Sequence, residues 1–424
     1  MASSPVDTQV LIVGGGIGGL TLAAILQRLD IPCIVLERSS THTPVGAGIS
    51  LAPNGLRMLD QLGIYEKVLA AGQKLRKVQI WRNDSQWNTL DWSPCEAKFG
   101  YPVMSMERHH FQRLLHEAAG GEEFVQYGAK VVDVIDNPSE PGVKVILDSG
   151  KEYRANMVVG ADGIRSVVRR CLARDEGMKE ANTIKFTGRV HMSGITEPLA
   201  NLNSEHLGVA NWMLYDHATL TTWPCHNNSQ WFIGVAKSED AVATDRSVWA
   251  KCTEDTINKV YGEGFHPFAE SGKMSELVNK NQRILASNVF QETEFPSMSR
   301  GRVCLMGDAA HSMSSAFGQG GNMAIEDAAV LANLIQANRD SLDNAAPFLT
   351  EYSDMRCKRA QDVVKFSFRF ILLHGAILPY GIGKLLRWLV YAFLPASTWL
   401  WYLQWLYGYQ PTVDALGTPT KASK

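Results

Sequence analysis

An apolar run, Gln9 to Val13, leads directly into Gly14, Gly16 and Gly19, and then into apolar residues at helical spacing from Leu20 to Leu29. A strand, a glycine turn and a helix in this order restrict the start of the chain to a dinucleotide-type β–α unit, the opening of a parallel α/β sheet. Gly14 permits the tight turn, Gly16 lets the backbone approach a pyrophosphate, and Gly19 lets the helix pack close to the strand. The helix N-terminus adds unpaired N–H groups and a partial positive charge for phosphate. A second apolar strand, Cys33 to Leu36, ends in Glu37, twenty-three positions after Gly14, where an acid can accept hydrogen bonds from ribose hydroxyls. Arg38 follows, placed either to pair with a phosphate or to lie in solvent.

Two later segments narrow the ligand. Tyr153 to Val159 leads into Gly160-Ala-Asp162-Gly163, and Val303 to Met306 into Gly307-Asp308. Gly318-Gln-Gly-Gly-Asn322 then opens a long helical pattern. The acid at position 37 disfavours a 2′-phosphate, so the first turn suits FAD or NAD better than NADP. Asp308, at a strand end, can hold a ribityl hydroxyl, and the amides around Gly320, Gly321 and Asn322 can face the pyrimidine edge of a flavin. The three segments together point to FAD held along much of its length.

These segments, with Gly46-Ala-Gly-Ile-Ser-Leu-Ala-Pro-Asn-Gly-Leu-Arg57 and Met106-Glu-Arg-His-His-Phe-Gln-Arg-Leu114, resemble the single-component (group A) flavoprotein monooxygenases. Salicylate hydroxylase, zeaxanthin epoxidase and fungal secondary-metabolite monooxygenases belong to that group. The resemblance covers about residues 8 to 365. It implies that Arg108 contacts FAD, that Asp162 with Gly163 serves both FAD and NAD(P)H, and that Asp308 holds the ribityl chain. Ala47 and Gly48 are further cofactor-binding candidates. It also implies the reaction: NADPH or NADH reduces FAD, O2 adds to give a flavin C4a-hydroperoxide, and one oxygen atom passes to the substrate by hydroxylation or epoxidation. Such a site must exclude water. One departure stands out, since His311-Ser-Met-Ser-Ser315 carries serine at position 315 where the group has proline beside the flavin's reactive face.

The expected architecture is α/β: a discontinuous Rossmann-like FAD-binding domain, a β-sheet substrate domain and a helical C-terminal segment. The FAD domain is expected from 1–75, 100–185 and 285–365, the substrate domain from 76–99 and 186–284, and the hydrophobic segment from 366–424. Short aromatic runs such as Asn211-Trp-Met-Leu-Tyr215 and Gln230-Trp-Phe-Ile-Gly-Val235 predict a largely antiparallel sheet over the flavin, joined by Trp81 to Trp92. Arg189 and Tyr215, expected on adjacent strands, are the catalytic candidates, for anchoring a phenolate and orienting a hydroxyl. His191, Trp223 and His226 are secondary candidates, and His311 reads as structural.

A net charge of −2 with no extended basic run argues against a nucleic-acid partner. Seven scattered cysteines without metal-like spacing, and a start lacking an apolar signal core, suit a reduced cytoplasmic enzyme with no metal. From Phe366 to Tyr409 the chain is crowded with apolar and aromatic residues, broken by Pro379. Packing on the two domains is the expected fate, and peripheral contact with a membrane surface is the alternative. Either way the neighbouring substrate is expected to be a lipophilic small molecule. A flavin oxidase, a halogenase or a prenyl-binding carrier could share this frame, although no Trp-x-Trp-x-Ile-Pro element of a halogenase is present.

Overall fold

A computed structural model describes residues 6–42, 46–175, 184–215, 218–237, 252–292, 294, 297–315, 317–376, 378 and 380–423. At its centre lies β1 (Thr8–Val13), whose apolar residues are buried on both faces, as a central parallel strand requires. It pairs in parallel with β2 (Cys33–Leu36) on one side and β11 (Glu152–Gly160) on the other. The sheet continues through β8 (Val125–Gln126) beyond β2, and through β18 (Val303–Leu305) and β17 (Ser299–Arg300) beyond β11. β10 (Val143–Leu147) and β9 (Val131–Ile135) extend β11 as an antiparallel flap. Helices α1 (Ile17–Arg28) and α5 (Gln319–Ala337) pack together over this sheet.

Register decides where the glycine segments meet. Val13 pairs with Gly160, and Gly160 with Leu305. The residues after β1, β11 and β18 therefore emerge side by side at one carboxyl edge, although they are separated by well over a hundred positions in sequence. This is the edge at which open α/β sheets bind ligands.

The second layer is a seven-stranded sheet in the order β16–β12–β15–β14–β13–β5–β6. Its strands are β5 (Lys77–Arg82), β6 (Ser85–Asp91), β12 (Ile184–Thr196), β13 (Val209–Leu214), β14 (Ala218–Pro224), β15 (Gln230–Lys237) and β16 (Asn281–Glu292). The stretch from Trp81 does join it, and all pairings are antiparallel except β13 with β5. Two expectations change here. β16 runs on to Glu292, paired with β12 on both sides of a register shift between Phe186 and Val190, so the sheet does not end at 284. Arg189 lies on β12 and Tyr215 just beyond β13, with β15 and β14 between them, so they are not on adjacent strands. A small sheet of β3 (Gly48–Leu51), β7 (Met104–Glu107) and β4 (Gln73–Lys74) connects the layers. It leads into α2 (Pro53–Gln61) after β3 and α3 (Arg108–Ala118) after β7.

The C-terminal segment does not begin as a separate unit. A 29-residue helix, α6 (Ala346–His374), starts against the FAD-domain sheet and carries its last turns to the substrate sheet. α7 (Ile382–Phe393) and the helix Ala396–Tyr402 fold back on β6 and α6, burying Tyr391, Trp399 and Leu400. Pro379 lies outside the described residues. Among the described residues no helix is long and apolar enough to cross a membrane. The outer face of α7 nevertheless leaves Ile382, Leu385, Leu389 and Phe393 exposed, and Trp401 beyond it is 68% exposed.

Candidate active site

At the carboxyl edge, Gly14 adopts φ +111°, and a Cβ there would stand 2.4 Å from the carbonyl oxygen of Ala161. A side chain at Gly19 would meet the Gly14 carbonyl at 2.1 Å. The turn and helix are thus pressed against their neighbours at both glycines. At Gly16 nothing lies within 4 Å of the Cβ position, so this face of the turn is open. Glu37 accepts hydrogen bonds from Gly15 N–H and Ser39 N–H, both at 2.8 Å, which fixes its carboxylate beside the turn. Arg38 is exposed.

Arg108 opens α3 with its Nε buried and without a partner. Burial depresses its pKa, and the attraction of Asp308 partly offsets this. Asp308 follows Gly307 at the end of β18 and is open to the cavity. Asp162 accepts from Val167 N–H at 2.6 Å and so clasps the start of α4 (Val167–Asp175), while its Oδ1 is buried with no partner. Burial raises the pKa of this carboxyl against the hydrogen bonds that lower it. Gly320 and Gly321 line the cavity at the start of α5.

Asn322 does not belong with them. Its amide donates to Ser50 O and Gly318 O and accepts from Ala52 N–H, so the side chain is consumed in tying α5 to β3. It is fully buried and absent from the cavity wall, so any approach of Asn322 to a cofactor is through its backbone amide and not its side chain.

A buried ionic network backs this edge. His311 Nε2 lies 2.6 Å from Asp327 Oδ2, Arg356 Nε lies 2.6 Å from Asp327 Oδ1, and Gly307 N–H donates to Asp327 at 2.8 Å. Burial alone would lower the His311 pKa, but Asp327 outweighs it and the net shift is upward. His311 is structural: it holds the Gly307–Asp308 turn from behind.

From the open glycine face a cavity of about 960 Å³ runs between the two sheets to the end of α6. Alternate residues of β12, Arg189, His191 and Ser193, face into it. Arg189 sits where the β12–β16 register shifts between Phe186 and Val190, next to Gly188 at φ +71°. Such bulges re-aim side chains, and here the arginine turns towards the cavity. Tyr215 is a correction. It is 5% exposed, donates its hydroxyl to Phe265 O at 2.8 Å and does not line the cavity. The tyrosine whose electrostatics couple to Arg189 is Tyr261, buried beneath the sheet with its hydroxyl unpartnered. His226 also lies away from the cavity wall, whereas Trp223 is part of it.

Part of the wall is an aromatic cluster. Trp223 and Trp231 stack at 5.6 Å, and Trp231 donates to Ser105 Oγ at 2.9 Å. Phe317, held at φ +52°, packs 4.6 Å from Phe370 and edge-on to Trp212. His374 stacks on Phe370 and faces Trp212 edge-on. The Trp212 Nε1 is a buried donor with no partner. Phe317, Phe370 and His374 were not foreseen as site residues; the aromatic crowding after Phe366 was the signal for the last two, and the place of Phe317 beside the Gly318 run was the signal for the first.

The site fits a dinucleotide cofactor on structural grounds: an open glycine turn, unpartnered polar atoms on Arg108 and Asp162, and an acid at the neighbouring strand end. Residues 7–367 match the family described as FAD binding domain. The chain belongs to this family of FAD-dependent monooxygenases. The FAD-dependent monooxygenase pynG of Aspergillus niger is 49% identical over 420 residues, covering 96% of this chain and 97% of the relative. The monooxygenase paxM of Penicillium paxilli is 31% identical, covering 88% and 80%. In overall fold this monooxygenase is similar to Klebsiella pneumoniae HpxO, solved with FAD and uric acid (TM-score 0.80, 22% identity, 95% and 97% covered). It is also similar to a salicylate hydroxylase substrate complex (TM-score 0.74, 22% identity, 97% and 98% covered).

Proposed function

We propose that this monooxygenase takes two electrons from NADPH or NADH and transfers one atom of O2 to a lipophilic aromatic or prenylated small molecule, by hydroxylation or epoxidation. The second oxygen atom leaves as water, which balances the reaction. The observation that carries the substrate class is the aromatic cluster Trp212, Trp223, Trp231, Phe317 and Phe370 in the cavity wall, with Arg189, His191 and Ser193 of β12 as polar groups in the same cavity. Such a wall buries flat apolar surface and leaves orientation to a few polar contacts. The fungal relatives support a place in secondary metabolism.

Bound FAD supplies the redox chemistry with O2; the chain supplies position and dryness. In this reading Gly14, Gly16 and Gly19 form the pyrophosphate turn, Glu37 holds the ribose and Arg38 stands outside as a phosphate partner. Ala47, Gly48, Arg108 and Asp162 flank the cofactor, Asp308 takes the ribityl hydroxyls, and the amides of Gly320 and Gly321 face the ring. Arg189 anchors an anionic or hydroxylated substrate atom. The interlocked aromatic rings exclude water from the reacting centre. Incubation with labelled O2 and a panel of phenols, indoles and prenylated compounds tests the proposal. One labelled atom per product supports it, and NAD(P)H consumption yielding only hydrogen peroxide across the panel favours the oxidase reading.

We also propose that the exposed face of α7 rests on a membrane surface. No Asp or Glu occurs between Asp362 and Asp414, while Lys365, Arg369 and Lys384 do, which suits an anionic interface. Sedimentation with anionic vesicles should carry the protein down. A Leu385→Glu/Leu389→Glu variant that still sediments would refute this contact.

A further inference from the structure

A polar pair crosses the cavity from one domain to the other. Ser315 Oγ, on the loop between the Gly307–Asp308 turn and α5, lies 3.1 Å from His191 Nε2 on β12. Both residues line the cavity, and Ser315 is exposed to it. Along the inner face of β12, His191 stands between Arg189 and Ser193. Among the described residues no other hydrogen-bonding group meets the His191 ring or the Ser315 hydroxyl.

Chemistry narrows what this pair can do. Burial pushes the His191 pKa down to about 4, so the imidazole is neutral at physiological pH and only a weak base. A neutral ring carries one proton. If Nε2 carries it, His191 donates to Ser315 Oγ and the serine's own proton is free to point into the cavity. If Nδ1 carries it, Ser315 spends its proton on the ring and offers only lone pairs. In the second arrangement the Nδ1–H meets no acceptor among the described residues, and no serine proton is left for a ligand.

We propose that His191 is a positioning residue which, by donating Nε2–H to Ser315, presents the serine hydroxyl as a hydrogen-bond donor to the reacting polar atom in the cavity. This rests on the monooxygenase reading above and deepens it. Serine stands where the resemblance leads one to expect proline, which has no donor to offer. The proton stays on oxygen, so no net transfer is required of the pair. The hydroxyl acts as a fixed dipole where charge develops during oxygen transfer, in a site walled by aromatic rings.

Two measurements test it. Nitrogen-15 NMR on histidine-labelled protein, assigned with the His191→Leu variant, should show the Nε2–H tautomer of a neutral ring at pH 7, and its signals should move in Ser315→Ala. An Nδ1–H tautomer, or signals indifferent to Ser315→Ala, overturns the proposal without reference to turnover. In kinetics, Ser315→Ala and His191→Leu should each lower kcat roughly tenfold, with KM within about twofold, the scale of one lost hydrogen bond. The double variant should be no worse than either single one. His191→Gln, whose amide can still donate to Ser315, should recover part of the loss. Full activity in Ser315→Ala, or losses that multiply in the double variant, refutes the pair. Failure of the wild type to oxygenate any compound would instead sink the functional reading, while the tautomer result stands on its own.

Discussion

Replacing Gly48 with alanine is the sharpest test of how the two layers meet. Gly48 is the first residue of β3, and a Cβ there would fall 2.1 Å from the Cγ and Cδ2 atoms of the Trp231 indole. The ring cannot step aside cheaply. It is 7% exposed, stacked on Trp223, and pinned through Nε1 to Ser105 on β7. β3 cannot retreat either, because it is paired with β7 along its length. Overpacking a core of this kind costs about 1–3 kcal/mol. Losing the Trp231–Ser105 hydrogen bond adds about 0.5–1.5 kcal/mol. Gly48→Ala should therefore destabilise the protein by about 2–4 kcal/mol, read from the urea midpoint followed by tryptophan fluorescence. The tilted ring should also disturb the cavity wall, weakening binding of aromatic ligands. The decisive control is Trp231→Ala, in which the added methyl has room. In that background Gly48→Ala should cost under about 0.5 kcal/mol, a coupling expected of residues in contact. An equal cost in both backgrounds would refute the packing argument and leave cofactor contact as the reason for glycine.

Three further outcomes are expected. Asp308→Ala should yield largely colourless protein whose affinity for FAD is at least about tenfold weaker by fluorescence titration, since a hydrogen-bonding acid at the open strand end is lost; an unchanged affinity would contradict the ribityl assignment. Arg189→Ala should keep FAD but depress turnover, with Arg189→Lys recovering little because a forked donor set is replaced by a point charge; unchanged turnover removes Arg189 from the mechanism. His266 is fully buried, accepts from Phe268 N–H at Nδ1 and meets Thr222 Oγ1 at 2.9 Å, and burial lowers its pKa to about 3. Its folded value lies below the unfolded one, so its contribution is complete above about pH 6.5 and is lost as pH falls towards 3, at a limiting slope of about 1.4 kcal/mol per pH unit. His191 and His374 are likewise lowered by burial, to about 4 and about 3, so chemical denaturation at pH 7, 5.5 and 4.5 should show a steeper fall than this, and His266→Gln should flatten the profile by about one proton's worth.

The strand limits and helix starts around the three glycine segments were legible because each is written in a few consecutive residues. Cys33–Leu36 was expected and observed with the same bounds, and Gly318 caps the helix that its glycine run announced. Tyr215 failed as a candidate for a different reason. Its position near a strand end was readable, but the carbonyl of Phe265 that claims its hydroxyl lies fifty residues away. The role of the Asn322 side chain as a tie between α5 and β3 was unreadable for the same reason, since its partners Ser50 and Ala52 lie some 270 residues earlier.

Local pattern therefore determined the backbone of this monooxygenase: an apolar strand, glycines without which the turn would clash, a helix, and an acid at the next strand's end. The positive φ of Gly14 and the close approach of Gly19 to the Gly14 carbonyl arise within a few residues, so the amino-acid order suffices to read them, although the contact of Gly14 with Ala161 is tertiary. Tertiary structure alone decided which side chains reach the cavity, that the Tyr215 hydroxyl is claimed by Phe265, that α6 delivers Phe370 and His374 to the wall, and that Ser315 meets His191 across 124 positions. Those facts depend on sheet order and on the angle at which two layers close. They arise from the packing of whole faces against one another, which no short stretch of chain encodes.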